Sequence, residues 1–199
     1  MRQRESEYWD NEAQTRILGG LSDNIWKRQH IISRLLNCDL IGQSVLEIGI
    51  GTGTAFAAIK VGLLGQFDYI GTDVSPIFCE EVAKQFHLRT CNTDVTALPE
   101  IEGGFTRIVA LDSLEHVRPE DRPGGYREIS RVMAEHGSIL INMPVEETLH
   151  NREFDHEIGI NDIAEMSEIT GCSVRKYEPY EATMKNGAQL RYIWVELER

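Results

Sequence analysis

Apolar residues in this chain fall into short unbroken runs separated by stretches in which they recur every three or four positions, a pattern that predicts strands alternating with helices. Val45, Leu46, Glu47 and Ile48 are too few and too β-branched for a helix and read as a buried strand. Gly49, Gly51 and Gly53 then let the backbone turn through positive φ and leave its face open to a ligand. Residues 54–59 have the composition of a helix that packs on a sheet. Residues 67–73 read as a second strand, after which Ser75 and Pro76 supply a cap and a first helical residue, with Phe78, Val82 and Phe86 as the buried stripe. Residues 88–91 and 106–111 read as a third and a fourth strand.

Two prolines and a Gly-Gly pair between 119 and 125 predict a loop, followed by a helix from Tyr126 to about His136 that Gly137 ends. The fifth strand is expected over 138–143, closed by Pro144. Residues 145–158 are a polar connection carrying His150, Asp155 and His156. A helix starting at Asn161 and Asp162 runs through Ile163, Met166 and Ile169 to Gly171, and 173–177 reads as strand six. Asn186-Gly187 is a hairpin signal, so the long apolar strand 190–197 is expected to return antiparallel to strand six. Residues 1–41 form a helical extension of their own. There Gly19-Gly20 breaks any helix, Ser22, Asp23 and Asn24 cap one starting near Ile25, and Ile25, Trp26, Gln29, Ile32, Leu35 and Leu36 fall along one side.

At 199 residues the chain has room for one central sheet covered on both faces, over residues 42–199, and no second full domain. Its 20 basic and 32 acidic residues leave a formal charge of −12, which disfavours a protein whose main work is gripping nucleic acid. Cys38, Cys79, Cys91 and Cys172 are scattered without a C-x-x-C pair, suggesting neither a zinc site nor a disulfide framework but a reducing, cytoplasmic setting. No stretch approaches the length of a membrane span, and the charged N-terminus is not a signal peptide.

The glycine loop narrows the ligand. A dinucleotide fold wants G-x-G-x-x-G, but counting from Gly49 the third glycine is replaced by Thr54. A P-loop ends in Gly-Lys-Ser/Thr, and here no lysine comes before Lys60. From Val45 to Gly53 the chain resembles instead the first motif of the class I S-adenosylmethionine-dependent methyltransferases, hydrophobic-hydrophobic-Asp/Glu-hydrophobic-Gly-x-Gly-x-Gly. The resemblance implies that Glu47 orients the amino-acid end of the cofactor while the backbone of Gly49, Gly51 and Gly53 lies against it. Asp73 stands about 20 residues after the loop, where such folds place the carboxylate that accepts both ribose hydroxyl protons; the bland alternative is that it caps the next helix. Asp94, with Val74 and Val95 beside the two acids, falls where the family recognises the adenine ring, though Asn92-Thr93-Asp94 is also turn-like. Three acids after three strands suit a cofactor with a positive sulfonium and no phosphate.

Asp112 and the stretch Leu114-Glu115-His116-Val117 resemble the family's fourth motif in its small-molecule, ubiquinone-biosynthesis-methyltransferase-like form, and not the Asn/Asp-Pro-Pro-Tyr/Phe form that holds a flipped base. The resemblance covers about four fifths of the chain. It implies an α/β, Rossmann-like, doubly wound sheet of seven strands, mostly parallel with an antiparallel last strand, under an N-terminal helical lid to which Tyr8 and Trp9 belong as lid aromatics or as an anchor. It implies S-adenosyl-L-methionine as cofactor, S-adenosyl-L-homocysteine as product and a small-molecule acceptor. Methyl transfer from a sulfonium needs mainly alignment, with a base only when the acceptor must lose a proton. His116 is the leading candidate, with Glu115, His156 and His150 nearby. Asp112, Glu115, His116 and His156 could alternatively converge on a divalent ion.

Overall fold

A computed structural model describes the chain except residues 1, 19, 63–67, 101, 103, 146–153 and 184–186, and the side chains of 2–5, 18, 20–27 and 61–62. Phe67, His150 and Asn186 lie outside the described residues, as do the side chains of Ile25 and Trp26. The elements run α1 (Arg2–Leu18), α2 (Gly20–Leu35), β1 (Ser44–Ile48), α3 (Thr54–Gly62), β2 (Asp68–Asp73), α4 (Pro76–Phe86), β3 (Arg89–Asn92), β4 (Phe105–Leu111), a 3-10 turn (Leu114–His116), α5 (Arg122–Val132), β5 (Met133–Pro144), α6 (Ile160–Thr170), β6 (Ser173–Thr183) and β7 (Gln189–Glu198). The strands form one sheet in the order β3-β2-β1-β4-β5-β7-β6. Within it β1, β2 and β3 pair in parallel, as do β4 and β5, and β7 is antiparallel to both of its neighbours. Among the described residues no helix is long and apolar enough to cross a membrane.

Contacts gather the chain into two compact units, residues 1–94 and 95–199. In the first, β1 is buried along Val45, Leu46, Glu47 and Ile48, as a strand covered on both faces must be. Ser75 caps α4 by accepting from Phe78 N at 3.4 Å, with Pro76 in the first turn, and His87 closes the helix in the left-handed region. Phe78 and Val82 are buried, and Phe86 turns its ring edge to Phe56. The N-terminal extension differs from expectation. Gly19 lies outside the described residues, and α2, from Gly20, carries Ser22, Asp23 and Asn24 inside its opening turns, where the first N–H groups lack helical partners. Leu35 is buried as expected, but its partner is Ile31 rather than Ile32, which like Leu36 is only half-buried, and Gln29 is exposed. An i, i+4 apolar pair sets the face, and a polar residue counted into the stripe had rotated it.

Gly71, in the middle of β2, is held to glycine by packing. A Cβ there would stand 2.0 Å from Cδ1 of Ile50, the buried side chain inside the glycine loop. Gly71→Ala is expected to cost about 2–3 kcal/mol and to lower the thermal midpoint by roughly 5–10 °C. A scanning-calorimetry trace matching the unmodified protein would show that the loop accommodates the methyl.

In the second unit the loop expected over 119–125 covers only 119–121, a turn, and from Arg122 the chain is already helical. Pro123 sits in the first turn of α5, where a missing N–H costs nothing, and Gly125 admits Val95, whose Cγ1 would be 2.8 Å from an added Cβ. The helix accordingly ends at Val132 rather than near His136. Strand β5 starts at once, with a bulge: Phe105 pairs with Met133, and the next matched pair is Arg107 with Ser138. Gly137 therefore lies within the strand. Helix α6 begins one residue early, with Asp162 accepting from Gly159 N at 2.9 Å, and ends where Gly171 turns left-handed at φ 69°. Strand β6 extends to Thr183 and pairs with β7 along its length.

Candidate functional site

The first unit holds seven of the expected residues, Glu47, Gly49, Gly51, Gly53, Asp73, Val74 and Asp94. Gly49, Gly51 and Gly53 all have positive φ, at 76°, 50° and 68°. A Cβ on Gly51 would meet nothing within 4 Å, whereas one on Gly53 would come 2.8 Å from the Phe86 ring. Close packing of the loop on α4 thus falls on Gly53, which answers for the missing third dinucleotide glycine. Asp73 braces the corner from the next strand: Oδ2 accepts from Gly51 N at 2.9 Å and Oδ1 from Ser75 N at 3.0 Å. Burial raises its pKa against these two donors. It therefore bonds both the loop and the residue that caps α4.

Asn92 Nδ2 donates to the carbonyls of Asp73 and Val74, and Thr93 N donates to Asp73 O, so the turn leading to half-buried Asp94 is tied to the same corner. Helix α1 reaches it too, with Ser75 Oγ donating to Asp10 at 2.5 Å and Ser6 Oγ to Val74 O at 3.4 Å. Tyr8 and Trp9 are half-buried and meet edge to face, with the Arg16 guanidinium over Trp9.

Glu47 is not a solvent-facing strand residue. It is 1 % exposed, its Oε2 accepts from the Tyr69 hydroxyl at 2.7 Å, and its Oε1 is buried without a hydrogen-bond partner among the described residues. Burial pushes its pKa up to about 7, opposed by the Tyr69 hydrogen bond and the charge of Arg28. Tyr69 was missed in the sequence, since a tyrosine in an apolar strand reads as core.

The second unit holds the rest. Val95 is buried under α5. Asp112, just past β4, takes φ 50°, which is costly for a residue with a Cβ. It is held there by Asn142, whose carbonyl accepts from Asp112 N at 2.9 Å and whose amide donates to Asp112 Oδ1 at 2.6 Å; Tyr180 in turn donates to Asn142 Oδ1. Glu115 is buried, His116 Nε2 stands 3.8 Å from its Oε1, and His116 Nδ1 stands 3.0 Å from Asp155 Oδ1. His156 joins by its backbone, its N–H donating to Glu115 O at 2.7 Å and its carbonyl accepting from Arg122 at 2.9 Å. The side chain that reaches the imidazole is thus that of Asp155, which the sequence placed only in a polar connection. Among the described residues no three His, Cys, Asp or Glu side chains form a group able to hold a metal ion, so the divalent-ion arrangement is not built.

The topology of β1 to β7, with its inserted antiparallel strand, and the glycine corner braced by an acid define the class I S-adenosylmethionine-dependent methyltransferase fold. Residues 45–137 match a family described as a methyltransferase domain. The chain is 24% identical over 117 residues to carboxy-S-adenosyl-L-methionine synthase of Helicobacter hepaticus (strain ATCC 51449 / 3B1), covering 57% of this chain and 48% of that one; it spans about half the length of the curated relative it matches. Among solved structures, magnesium protoporphyrin IX methyltransferase from Synechocystis PCC 6803 with bound S-adenosylhomocysteine superposes with a TM-score of 0.73 at 15% identity, over 100% of both chains. An N-methyltransferase from Bradyrhizobium japonicum WM9 in complex with S-adenosyl-L-homocysteine gives 0.69 at 13% identity, over 86% of each.

Proposed function

We propose that this protein binds S-adenosyl-L-methionine and transfers its methyl group in line to an oxygen, nitrogen or carbon nucleophile of a small-molecule acceptor, leaving S-adenosyl-L-homocysteine. The observation that carries the reading is the Asp73 carboxylate bonded to Gly51 N across the glycine corner. Gly49, Gly51 and Gly53 give the cofactor an open backbone face, Asp73 its ribose contact, and Asp94 with Val74 and Val95 its adenine contact. Glu47 answers the amino-acid end, and Asp112 is a further cofactor-binding residue. When bound, the cofactor supplies a methyl already activated on a positive sulfur. His116 and Glu115, with His156 alongside, form the catalytic group. The Leu114-Glu115-His116-Val117 stretch favours the ubiquinone-biosynthesis-like subtype, and free cysteines, two of them buried, suit a reducing cytoplasm.

The test is calorimetric titration with S-adenosylmethionine, S-adenosylhomocysteine and NAD. The first two are expected to bind and NAD to stay silent; binding of NAD alone overturns the reading. Glu47 adds a pH signature. Its folded pKa of about 7 lies above the ordinary 4.5, so the stability it contributes is complete below 4.5 and lost as pH rises through about 7. A cation beside it favours the charged form, so binding should release a proton near neutrality and tighten from about pH 6 to about pH 8. Heats of binding independent of the buffer's ionisation enthalpy across that range would remove Glu47 from the cofactor site.

A second reading has the same cofactor site serving chemistry other than methylation, favoured by a curated relative named as a carboxy-S-adenosyl-L-methionine synthase. Mass spectrometry of the product separates the two: methylated acceptor with S-adenosylhomocysteine for the first, an altered cofactor for the second. An RNA acceptor is disfavoured by the charge of −12.

A further inference from the structure

Three ionisable side chains of the second unit meet outside any contact the cofactor reading requires. Glu115 and His116 come from the short turn after β4, and Asp155 from the connection between β5 and α6. Their exposures differ usefully: the side chain of Glu115 is 4% exposed, that of Asp155 10% and that of His116 24%. An outside molecule can therefore reach the imidazole best. Among the described residues Glu115 keeps one oxygen, Oε2, buried without a hydrogen-bond partner, while its Oε1 stands 3.8 Å from the ring. The connection that carries Asp155 is fixed on its far side by buried Arg122, which donates to His156 O and Glu157 O, both at 2.9 Å, and to Asp162 at 2.6 Å. From the near side, His156 N donates to Glu115 O. The two residues that follow Asp155 are thereby anchored, and its 3.0 Å approach to His116 Nδ1 is a built contact rather than a chance meeting of surface groups.

We propose that Asp155 is the positioning residue of a Glu115–His116–Asp155 proton-accepting cluster. This rests on the methyl-transfer reading and narrows it: the acceptor is one that must lose a proton, a hydroxyl or a protonated amine. In the step, the acceptor's X–H bond breaks and its proton passes to the imidazole of His116. The nucleophile's electron pair forms the bond to the transferred methyl, and the pair of the methyl–sulfur bond stays on sulfur. The imidazolium that results stands between two carboxylates, which is why the ring can take the proton inside a half-buried site. Asp112, at the end of β4, adds further negative charge next to Glu115.

The charges facing the ring agree in sign. Burial pulls the His116 pKa down, but Glu115 and then Asp155 outweigh it and hold the value above the ordinary 6.5. Burial raises Glu115 to about 7, with His116 opposing and Asp112 and Asp155 adding to the rise. The base form of His116 therefore grows as pH rises through its raised pKa, and transfer should rise with it.

The test reads the ring directly and needs no acceptor. The six histidines are labelled with carbon-13 and titrated by NMR in the free protein, with His116 assigned by the signal missing in His116→Gln. Asp155→Asn is expected to lower the His116 midpoint by about one pH unit, while Asp155→Glu, which keeps a carboxylate, restores most of it. An unchanged midpoint in Asp155→Asn overturns the proposal. Should that variant fail to fold, the unmodified protein decides alone, since a His116 midpoint at or below about 6.5 overturns it as well. Calorimetry with S-adenosylmethionine is run beside the titration. Absence of binding to the unmodified protein would sink the methyl-transfer reading, while a lowered midpoint would still stand for the cluster.

Discussion

Asp73→Ala is expected to weaken S-adenosylmethionine binding by about 100-fold or more, measured by calorimetry on protein whose circular dichroism is unchanged. Two losses combine. The carboxylate holds Gly51 N and Ser75 N, one on each oxygen, so its removal frees the turn of the glycine loop and leaves two N–H groups without their acceptors. Each oxygen also has a second lone pair, and those are what two adjacent ribose hydroxyls need. Hydrogen bonds to a charged group are each worth about 1.5–3 kcal/mol, so losing two of the four gives the 100-fold and losing more exceeds it. Asp73→Asn keeps one acceptor oxygen and should fall between. An Asp73→Ala protein that binds as tightly as the original would show that the carboxylate only caps α4.

Arg122→Met should lower stability by about 3–5 kcal/mol, seen as a fall of roughly 10 °C or more in the thermal midpoint. The side chain is 2% exposed and answers the carbonyls of Val117, His156 and Glu157 as well as Asp162. Methionine fills similar volume but donates nothing, so three carbonyls and a carboxylate lose their donor together. Lysine would restore the charge without the planar fork and should recover only part of the loss. A change below about 1 kcal/mol would mean that water replaces the guanidinium easily. The same substitution releases the segment bearing Asp155, so the His116 titration should drift toward that of Asp155→Asn.

What could be read from sequence was what the chain encodes locally. The strand, glycine corner and helix from Val45 to Ile59 follow from apolar runs and a glycine spacing that only a positive-φ turn uses. Ser75-Pro76 and Gly171 mark helix ends by the chemistry of caps. Readings failed where the deciding neighbour is far along the chain. Pro123-Gly124-Gly125 has the composition of a loop, and only Val95, pressed against Gly125, shows why glycine belongs in a helix there. Asp155 lies in a connection with no periodicity, so nothing local distinguishes it from its polar neighbours. Tyr69 has the same difficulty: its hydroxyl matters because parallel register sets it beside β1, against a buried acid.

The insertion of β7 between β5 and β6 has a consequence for biosynthesis. Strands β5 and β6 emerge from the ribosome first, yet in the finished sheet neither touches the other; each pairs with the strand that follows both. Until residues 189–198 have been made, two rows of N–H and C=O groups stand open, one on the apolar strand β5. The second unit must therefore complete its fold after translation of its last strand, and a nascent chain stalled before Gln189 carries two exposed edges for chaperones to shield.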